Sequence, residues 1–247
     1  MNIDTLQATA RAMVAPGKGI LAMDESSPTC NKRFEALGIA ATIEMRREYR
    51  TMLVSSPGLG EYIGGAILFD ETLRDQTTDG KSFVDVLNAQ DIVPGIKVDT
   101  GAKDLALHPG EKVTEGLDGL GPRLAEYHEL GARFAKWRAV YAISDALPSQ
   151  ACFSANAHGL ARYAALCQAH DIVPIVEPEV LIDGSHSIER SFQVTQHAQQ
   201  TVFEALADQG VDLRGIVLKP SMVISGAEAN NRAGVDEVAQ EKLRCLL

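Results

Sequence analysis

The sequence predicts an α/β protein, a (β/α)8 TIM barrel truncated after the sixth strand, with all of 1–247 in one domain. Three observations predict it. Six short apolar segments recur along the chain, helical patterns fill the intervals, and charged residues stand near the carboxyl ends of several segments. Near-continuous apolar strands that alternate with helices are typical of a parallel sheet covered by helices.

The strand and helix candidates follow one another in regular alternation. The strand candidates are 19–24, 65–70, 94–99, 133–140, 173–180 and 215–220. The clearest helical patterns cover 42–56, 154–170 and 188–209, each with apolar residues at i, i+3, i+4 spacing, and an amphipathic helix is expected at the N-terminus. The glycine-rich stretch 58–65 precedes a strand and is interpreted as a loop.

The barrel is favoured over an open doubly wound sheet. A dinucleotide-binding sheet would carry GxGxxG after its first strand, and neither that pattern nor a P-loop signature occurs. Only six strands can be found where a closed barrel needs eight, and the chain ends inside the helix that follows the sixth. We therefore expect the last two strand–helix units to be missing, and this chain alone to be poorly folded or inactive although a full-length parent is active.

The composition excludes several classes of function. A formal net charge of −10 argues against broad binding to nucleic acid or anionic membranes. No apolar run is long enough for a membrane span, and the N-terminus lacks the apolar core of a signal peptide. The four cysteines lie far apart without a CxxC pair, which favours free thiols in the cytoplasm.

Charged residues two apart inside three strands are the main functional signal. These pairs are Lys97 with Asp99, Lys136 with Arg138, and Glu177 with Glu179. Residues i and i+2 of a strand share one face, and barrel active sites lie at the carboxyl ends of the strands. Each pair alone could be a structural ion pair. A row of opposite charges on neighbouring strands, with Asp24 and Lys219 at two further strand ends, favours a polar site instead.

This set of residues suits Schiff-base chemistry. A lysine among other cations has a lowered pKa, and its free amine attacks a ketone to give an iminium that serves as an electron sink. Carboxylates move the protons, and the remaining cations hold phosphate. No histidine lies in a strand candidate and no HExxH occurs, so we expect no metal. The chemistry points to carbon–carbon cleavage or isomerisation of a phosphorylated carbonyl compound.

Six ordered motifs resemble the class I fructose-bisphosphate aldolases along nearly the whole chain. They are KGILAMDES, LGEYIGGAILFDETL, VPGIKVDTG, FAKWRAV, VPIVEPEVLIDGSH and VLKPSMV. The resemblance implies a lyase of glycolysis and gluconeogenesis that needs no cofactor or metal. It would cleave fructose 1,6-bisphosphate reversibly to dihydroxyacetone phosphate and glyceraldehyde 3-phosphate. It also implies a cytoplasmic homotetramer for the full-length parent.

The same resemblance assigns roles to individual residues. It implies that Lys219 forms the Schiff base and that Asp24 takes the proton of the C4 hydroxyl. Glu177 is implied as the acid and base of carbinolamine dehydration, Glu179 as the group that sets the protonation of the lysine, and Lys136 as a cation at the C4 oxygen. The implied substrate-binding residues are Lys97, Arg138, Ser26, Thr29 and Arg33. Pro28 departs from the small residue usual in the family's 6-phosphate loop.

Two other functions remain open from the residues. One is another Schiff-base sugar-phosphate aldolase or a transaldolase, against which the WR and EPE motifs weigh. The other is an inactive fragment that acts only as a binding protein. The preference between fructose 1,6-bisphosphate and fructose 1-phosphate is open as well.

Overall fold

The computed structural model describes all 247 residues and contains two sheets. The strands are β1 (Gly19–Met23), β2 (Ile63–Leu68), β3 (Val93–Lys97), β4 (Ala102–Asp104), β5 (Lys112–Thr114), β6 (Phe134–Tyr141), β7 (Val173–Val180) and β8 (Val217–Leu218). Six of them overlap the six strand candidates, which confirms that part of the prediction. The short hairpin of β4 and β5 was not expected.

Ten helices connect and cover the strands. They are α1 (Ile3–Met13), α2 (Ser27–Ala36), α3 (Ile43–Val54), α4 (Leu59–Tyr62), α5 (Asp70–Arg74), α6 (Phe83–Asn88), α7 (Leu120–Glu129), α8 (Gln150–Ala169), α9 (Ile188–Asp208) and α10 (Val235–Leu246), with a 3₁₀ turn over Leu213–Gly215. None of them combines the length and the apolar character needed to cross a bilayer.

The large sheet has its six strands in the order in which they occur along the chain. Every neighbouring pair is parallel, and the order is β1-β2-β3-β6-β7-β8. A doubly wound sheet would reverse direction at a switch point, so this order is that of a barrel wall. β1 and β8 lie at the two edges of the sheet and do not pair with each other. The predicted barrel class with six strands is confirmed.

Two apolar cores lie on the two faces of this sheet. The larger core fills the space between the sheet and its outer helices, with Trp137, Tyr163 and Leu160 among its fully buried members. The smaller core lies on the other face, where Leu6 and Met13 of α1 pack with Phe134 and neighbouring strand residues. The N-terminal helix therefore covers the inner face of the sheet and leaves the carboxyl ends of the strands open.

The segment 58–65 differs from the loop that the sequence suggested. It contains the short helix α4 and the start of β2, because its glycines allow close backbone approach. A Cβ on Gly60 would lie 2.3 Å from the Gln90 carbonyl oxygen, and a Cβ on Gly64 would lie 2.6 Å from that of Ala12. These glycines let the strand pack against its neighbours and do not form a ligand cradle.

Candidate active site

The charged residues predicted from the strands meet at the carboxyl ends of β1, β3, β6, β7 and β8. Asp24 follows β1, Lys97 ends β3, and Lys219 follows β8. The backbone amide of Lys219 continues the hydrogen-bond ladder of the sheet by donating to Val176 O at 2.9 Å. In the register of the sheet, Lys97 lies beside Lys136, and Arg138 lies beside Glu177. The alternation of the strands thus points one row of charges toward the inside of the arc.

A chain of ionic contacts joins four of these residues. The Lys136 ammonium lies 2.7 Å from Asp24 Oδ2 and 3.8 Å from Glu177 Oε2. The other oxygen of Glu177 accepts a hydrogen bond from Lys219 Nζ. Lys136 and Glu177 are buried, whereas the Lys219 side chain is 46% exposed. Of the two lysines in this row of ionic contacts, Lys219 is therefore the one whose amine a substrate can reach.

The two lysines differ in electrostatic environment. Burial alone would lower the pKa of Lys136, but the Asp24 carboxylate and, more weakly, Glu177 outweigh that effect and raise the pKa above its usual value. Lys136 is thus held as a cation. The expectation that cations surround Lys219 is not met. Its ionic partner is the carboxylate of Glu177, and the candidate cation Lys136 pairs with Asp24 instead.

The second charges of the strand pairs form contacts of their own. Arg138 donates through Nε to Glu179, and this hydrogen bond is the main reason that the pKa of Arg138 is raised. Lys97 Nζ lies 2.5 Å from Asp99 Oδ1 and 2.7 Å from its carbonyl oxygen. The structural ion pairs that the sequence allowed are therefore present, within the row that also carries Lys136 and Glu177.

Two hollows open at the carboxyl ends of the strands. The larger has a volume of about 820 Å³, and its lining includes Asp24, Lys97, Lys136 and Arg138. The smaller measures about 320 Å³, and its lining includes Glu177, Glu179 and Lys219. Glu177 contacts Lys219 of the smaller hollow and Lys136 of the larger one, so an ionic path connects the two hollows.

The start of α2 forms part of the wall of the larger cleft. Ser26 and Thr29 line it, with their hydroxyl oxygens 3.0 Å apart. Pro28 lies in the first turn of the helix, where a missing N–H costs no hydrogen bond, so it fits the local backbone. Arg33 is the one predicted residue that lines neither hollow. It pairs with Glu25 and its side chain is 63% exposed.

A buried ionic network beneath α2 was missed from the sequence. Arg46 donates through two nitrogens to Glu71 at 2.8 and 2.7 Å, and this pairing lowers the pKa of Glu71. Arg50, 1% exposed, contacts Glu71 and donates to the Glu25 carbonyl oxygen at 2.6 Å. The network holds the β1–α2 connection that carries Asp24. Arginines at i, i+4 spacing on α3 were the available signal.

Further cleft residues come from α5 and α7. Tyr127 donates its hydroxyl to Asp70 Oδ1 at 2.8 Å, and Arg74 pairs with both Asp70 and Glu126. These side chains, together with Arg123, line the larger cleft. Asp70 stands at the carboxyl end of a strand candidate, so the reasoning that selected Asp24 could have selected it too.

Comparisons with known proteins agree on one family. A family model described as fructose-bisphosphate aldolase class-I matches residues 5–247. The probable fructose-bisphosphate aldolase class 1 of Xanthomonas axonopodis pv. citri is 56% identical over 246 residues, which are 100% of this chain and 74% of that protein. The chloroplastic fructose-bisphosphate aldolase of rice is 51% identical over 243 residues, 98% of this chain and 62% of its own length.

A solved structure gives the same result for the fold. The fructose-bisphosphate aldolase of Plasmodium falciparum, crystallised in complex with TRAP and a small-molecule inhibitor, superimposes with a TM-score of 0.97. It is 46% identical, and the match covers 99% of this chain and 71% of that one.

Proposed function

The chain belongs to the class I fructose-bisphosphate aldolase family, a family of lyases, and on that premise we propose that Lys219 carries out its chemistry by forming a Schiff base. The observation that carries the proposal is the ionic chain from Lys219 through Glu177 and Lys136 to Asp24. Its first member is accessible, and its last member follows a strand on the opposite edge of the sheet. The substrate of the proposal is fructose 1,6-bisphosphate.

Imine formation would begin at the exposed amine. The neutral form of Lys219 attacks the C2 ketone and gives a carbinolamine. Glu177, in contact with Lys219 Nζ, donates the proton with which the carbinolamine hydroxyl leaves as water. The buried position of this carboxylate, its other oxygen near Lys136, supports the role. Glu179 lines the same hollow and would adjust the charge around the amine.

Carbon–carbon cleavage would take place nearer Lys136. The iminium draws the electron pair of the C3–C4 bond as Asp24 accepts the proton of the C4 hydroxyl, and the new aldehyde departs as glyceraldehyde 3-phosphate. Lys136, held as a cation, stabilises negative charge that develops on the C4 oxygen. Protonation of the remaining enamine at C3 and hydrolysis of the imine release dihydroxyacetone phosphate and restore Lys219.

Four of the five proposed substrate-binding residues share one cleft. Lys97, Arg138, Ser26 and Thr29 all line the larger cleft and would contact the substrate there. Arg33 lines neither hollow in this structure, so a role for it at the 1-phosphate requires its pair with Glu25 to open.

The setting of the reaction is also a proposal. We infer one barrel domain over 1–247, with the two missing strand–helix units corresponding to part of the length by which the relatives exceed this chain. The unpaired edges β1 and β8 support that inference. A cytoplasmic homotetramer, working in glycolysis and gluconeogenesis, is proposed for the full-length parent.

Borohydride trapping tests the proposal. Reduction in the presence of dihydroxyacetone phosphate should attach the three-carbon unit to the peptide that contains Lys219, as read by mass spectrometry. Lys219→Arg should abolish the label, and Lys112→Met, which changes an exposed lysine that lines neither hollow, should retain it. A folded wild-type sample without label refutes the Schiff base and favours a binding protein. Cleavage of other sugar phosphates in preference to fructose 1,6-bisphosphate would favour a different Schiff-base aldolase or a transaldolase.

A further inference from the structure

Five cationic side chains line the larger cleft, and four of them are paired with carboxylates. Lys136 pairs with Asp24 and Glu177, Arg138 with Glu179, Lys97 with Asp99, and Arg74 with Asp70 and Glu126. The fifth, Arg123, has no carboxylate within ion-pair distance. Arg123 is therefore the one cation of this cleft that carries no protein counter-charge when a phosphate dianion enters.

Arg123 is held in place without being neutralised. It lies in the first turns of α7, and its Nη2 donates to the carbonyl oxygens of Val98 and Gly116, both at 3.0 Å. An arginine carries five N–H donors in a planar fork, and Nε and Nη1 make no hydrogen bond within the protein. Nη2 spends both of its N–H groups on the two carbonyls, so the anchored guanidinium keeps the N–H groups of Nε and Nη1 for an oxyanion, and either can donate a single charge-assisted hydrogen bond to it.

We infer that Arg123 is a substrate-binding residue that contacts the phosphate at the aldehyde end of the sugar, an inference that rests on the proposed function. The direction of the substrate follows from the two hollows. Lys219, the partner of C2, lines the smaller hollow, whereas Asp24 and Lys136, the partners of the C4 oxygen, line the larger. The carbon chain thus runs from the smaller hollow into the larger, and its C6 phosphate lies beyond Asp24, in the cleft that Arg123 lines.

A merely structural role makes a different prediction. If Arg123 only holds the loops of Val98 and Gly116 together, its substitution should weaken the binding of fructose 1,6-bisphosphate and of dihydroxyacetone phosphate equally. A contact with the C6 phosphate should affect fructose 1,6-bisphosphate and leave dihydroxyacetone phosphate unchanged, because the latter carries the C1 phosphate alone. Comparison of the two ligands on the same variant separates these roles.

The experiment measures borohydride trapping against the concentration of each ligand. A hydrogen bond between charged groups contributes about 1.5–3 kcal/mol, so Arg123→Gln should raise the half-saturating concentration of fructose 1,6-bisphosphate by roughly 10- to 150-fold and leave that of dihydroxyacetone phosphate unchanged. Arg123→Lys, which keeps the charge, should recover most of the loss. The matched control is Arg133→Gln, because Arg133 also donates to two carbonyl oxygens but lines neither hollow. It should match wild type.

The outcomes separate the two hypotheses. Equal shifts for both ligands, no shift for the bisphosphate, or Arg123→Lys as impaired as Arg123→Gln would overturn the role of Arg123. Absence of trapping in wild type with either ligand refutes the Schiff base instead. In that case inorganic phosphate tests Arg123 independently. Phosphate should raise the Tm of wild type and not that of Arg123→Gln, and equal increases would refute the anion contact.

Discussion

Removal of the buried cation at Lys136 should destabilise the protein strongly near neutral pH. The Asp24 carboxylate has Lys136 as its only ionic or hydrogen-bond partner, whereas Glu177 retains Lys219. Breaking a buried pair by removal of one partner costs about 3–5 kcal/mol because a charge stays buried without compensation. The Asp24 side chain keeps 13% exposure, so we expect the lower part of that range for Lys136→Met, about 3 kcal/mol.

The pH dependence gives this prediction a second signature. The pKa of Lys136 is raised in the folded protein, so its stabilisation is fully present below its ordinary value of 10.5 and is lost as the pH rises through the folded value. The deficit of Lys136→Met should therefore hold through neutral pH and close in alkaline solution.

Urea unfolding followed by the fluorescence of Trp137, the only tryptophan, measures the free energy of unfolding, with circular dichroism as a second probe. Asp24→Asn in the Lys136→Met background should recover most of the stability without restoring Schiff-base chemistry. Lys112→Met is the control, because its pair with Asp104 is exposed and should make no measurable difference. If Lys136→Met unfolds at the same urea concentration as wild type at pH 7, the account of this buried network is wrong.

Three further substitutions test the packing of the barrel wall and its helices by the same measurement. Gly95→Ala places a Cβ 2.2 Å from two ring carbons of Phe134 and should cost about 1–3 kcal/mol, and Phe134→Leu in the same chain should recover part of the loss. Glu111→Gln disrupts a buried acceptor of hydrogen bonds from Ser149 N and Oγ, at 2.7 and 2.6 Å, and should cost about 1–3 kcal/mol; no loss would mean that these bonds contribute little. Lys242→Met should stabilise the protein, because Lys242 is buried without a partner and burial lowers its pKa. Its protonated form favours the unfolded state, so the gain should be largest at low pH and shrink as the pH rises toward 10.5; a gain independent of pH would refute this reasoning.

The wall of the barrel could be predicted because its signals are local. Apolar runs with charges at their ends mark the strands, and the period of two sets which side chains share a face. That is why Lys97, Lys136 and Glu177 were assigned to one site. The register places Lys97 beside Lys136, and the Lys136 ammonium lies 3.8 Å from Glu177 Oε2. The hairpin of β4 and β5 was not predicted, because each of its strands has only three residues and is largely exposed.

The pairing of charges could not be predicted, because it depends on the direction of long side chains. Sequence places Lys136 and Lys219 at one end of the sheet but does not say that one turns to Asp24 and the other to Glu177. Arg123 illustrates the same limit. Its helix was not recognised, and only the three-dimensional arrangement distinguishes a cation without a carboxylate from the four that have one.

The position of the N-terminal helix has a consequence for biosynthesis. α1 packs against the 3₁₀ turn at Leu213–Gly215, where a Cβ on Gly215 would lie 3.0 Å from that of Leu6. About 200 residues separate these partners in the chain, and ribosomes add roughly 5–20 residues per second, so the apolar face of α1 waits roughly 10–40 s for this contact. During that interval the nascent chain lacks the partner that covers Leu6 at this turn, and we expect chaperone contacts to concentrate on this part of the helix.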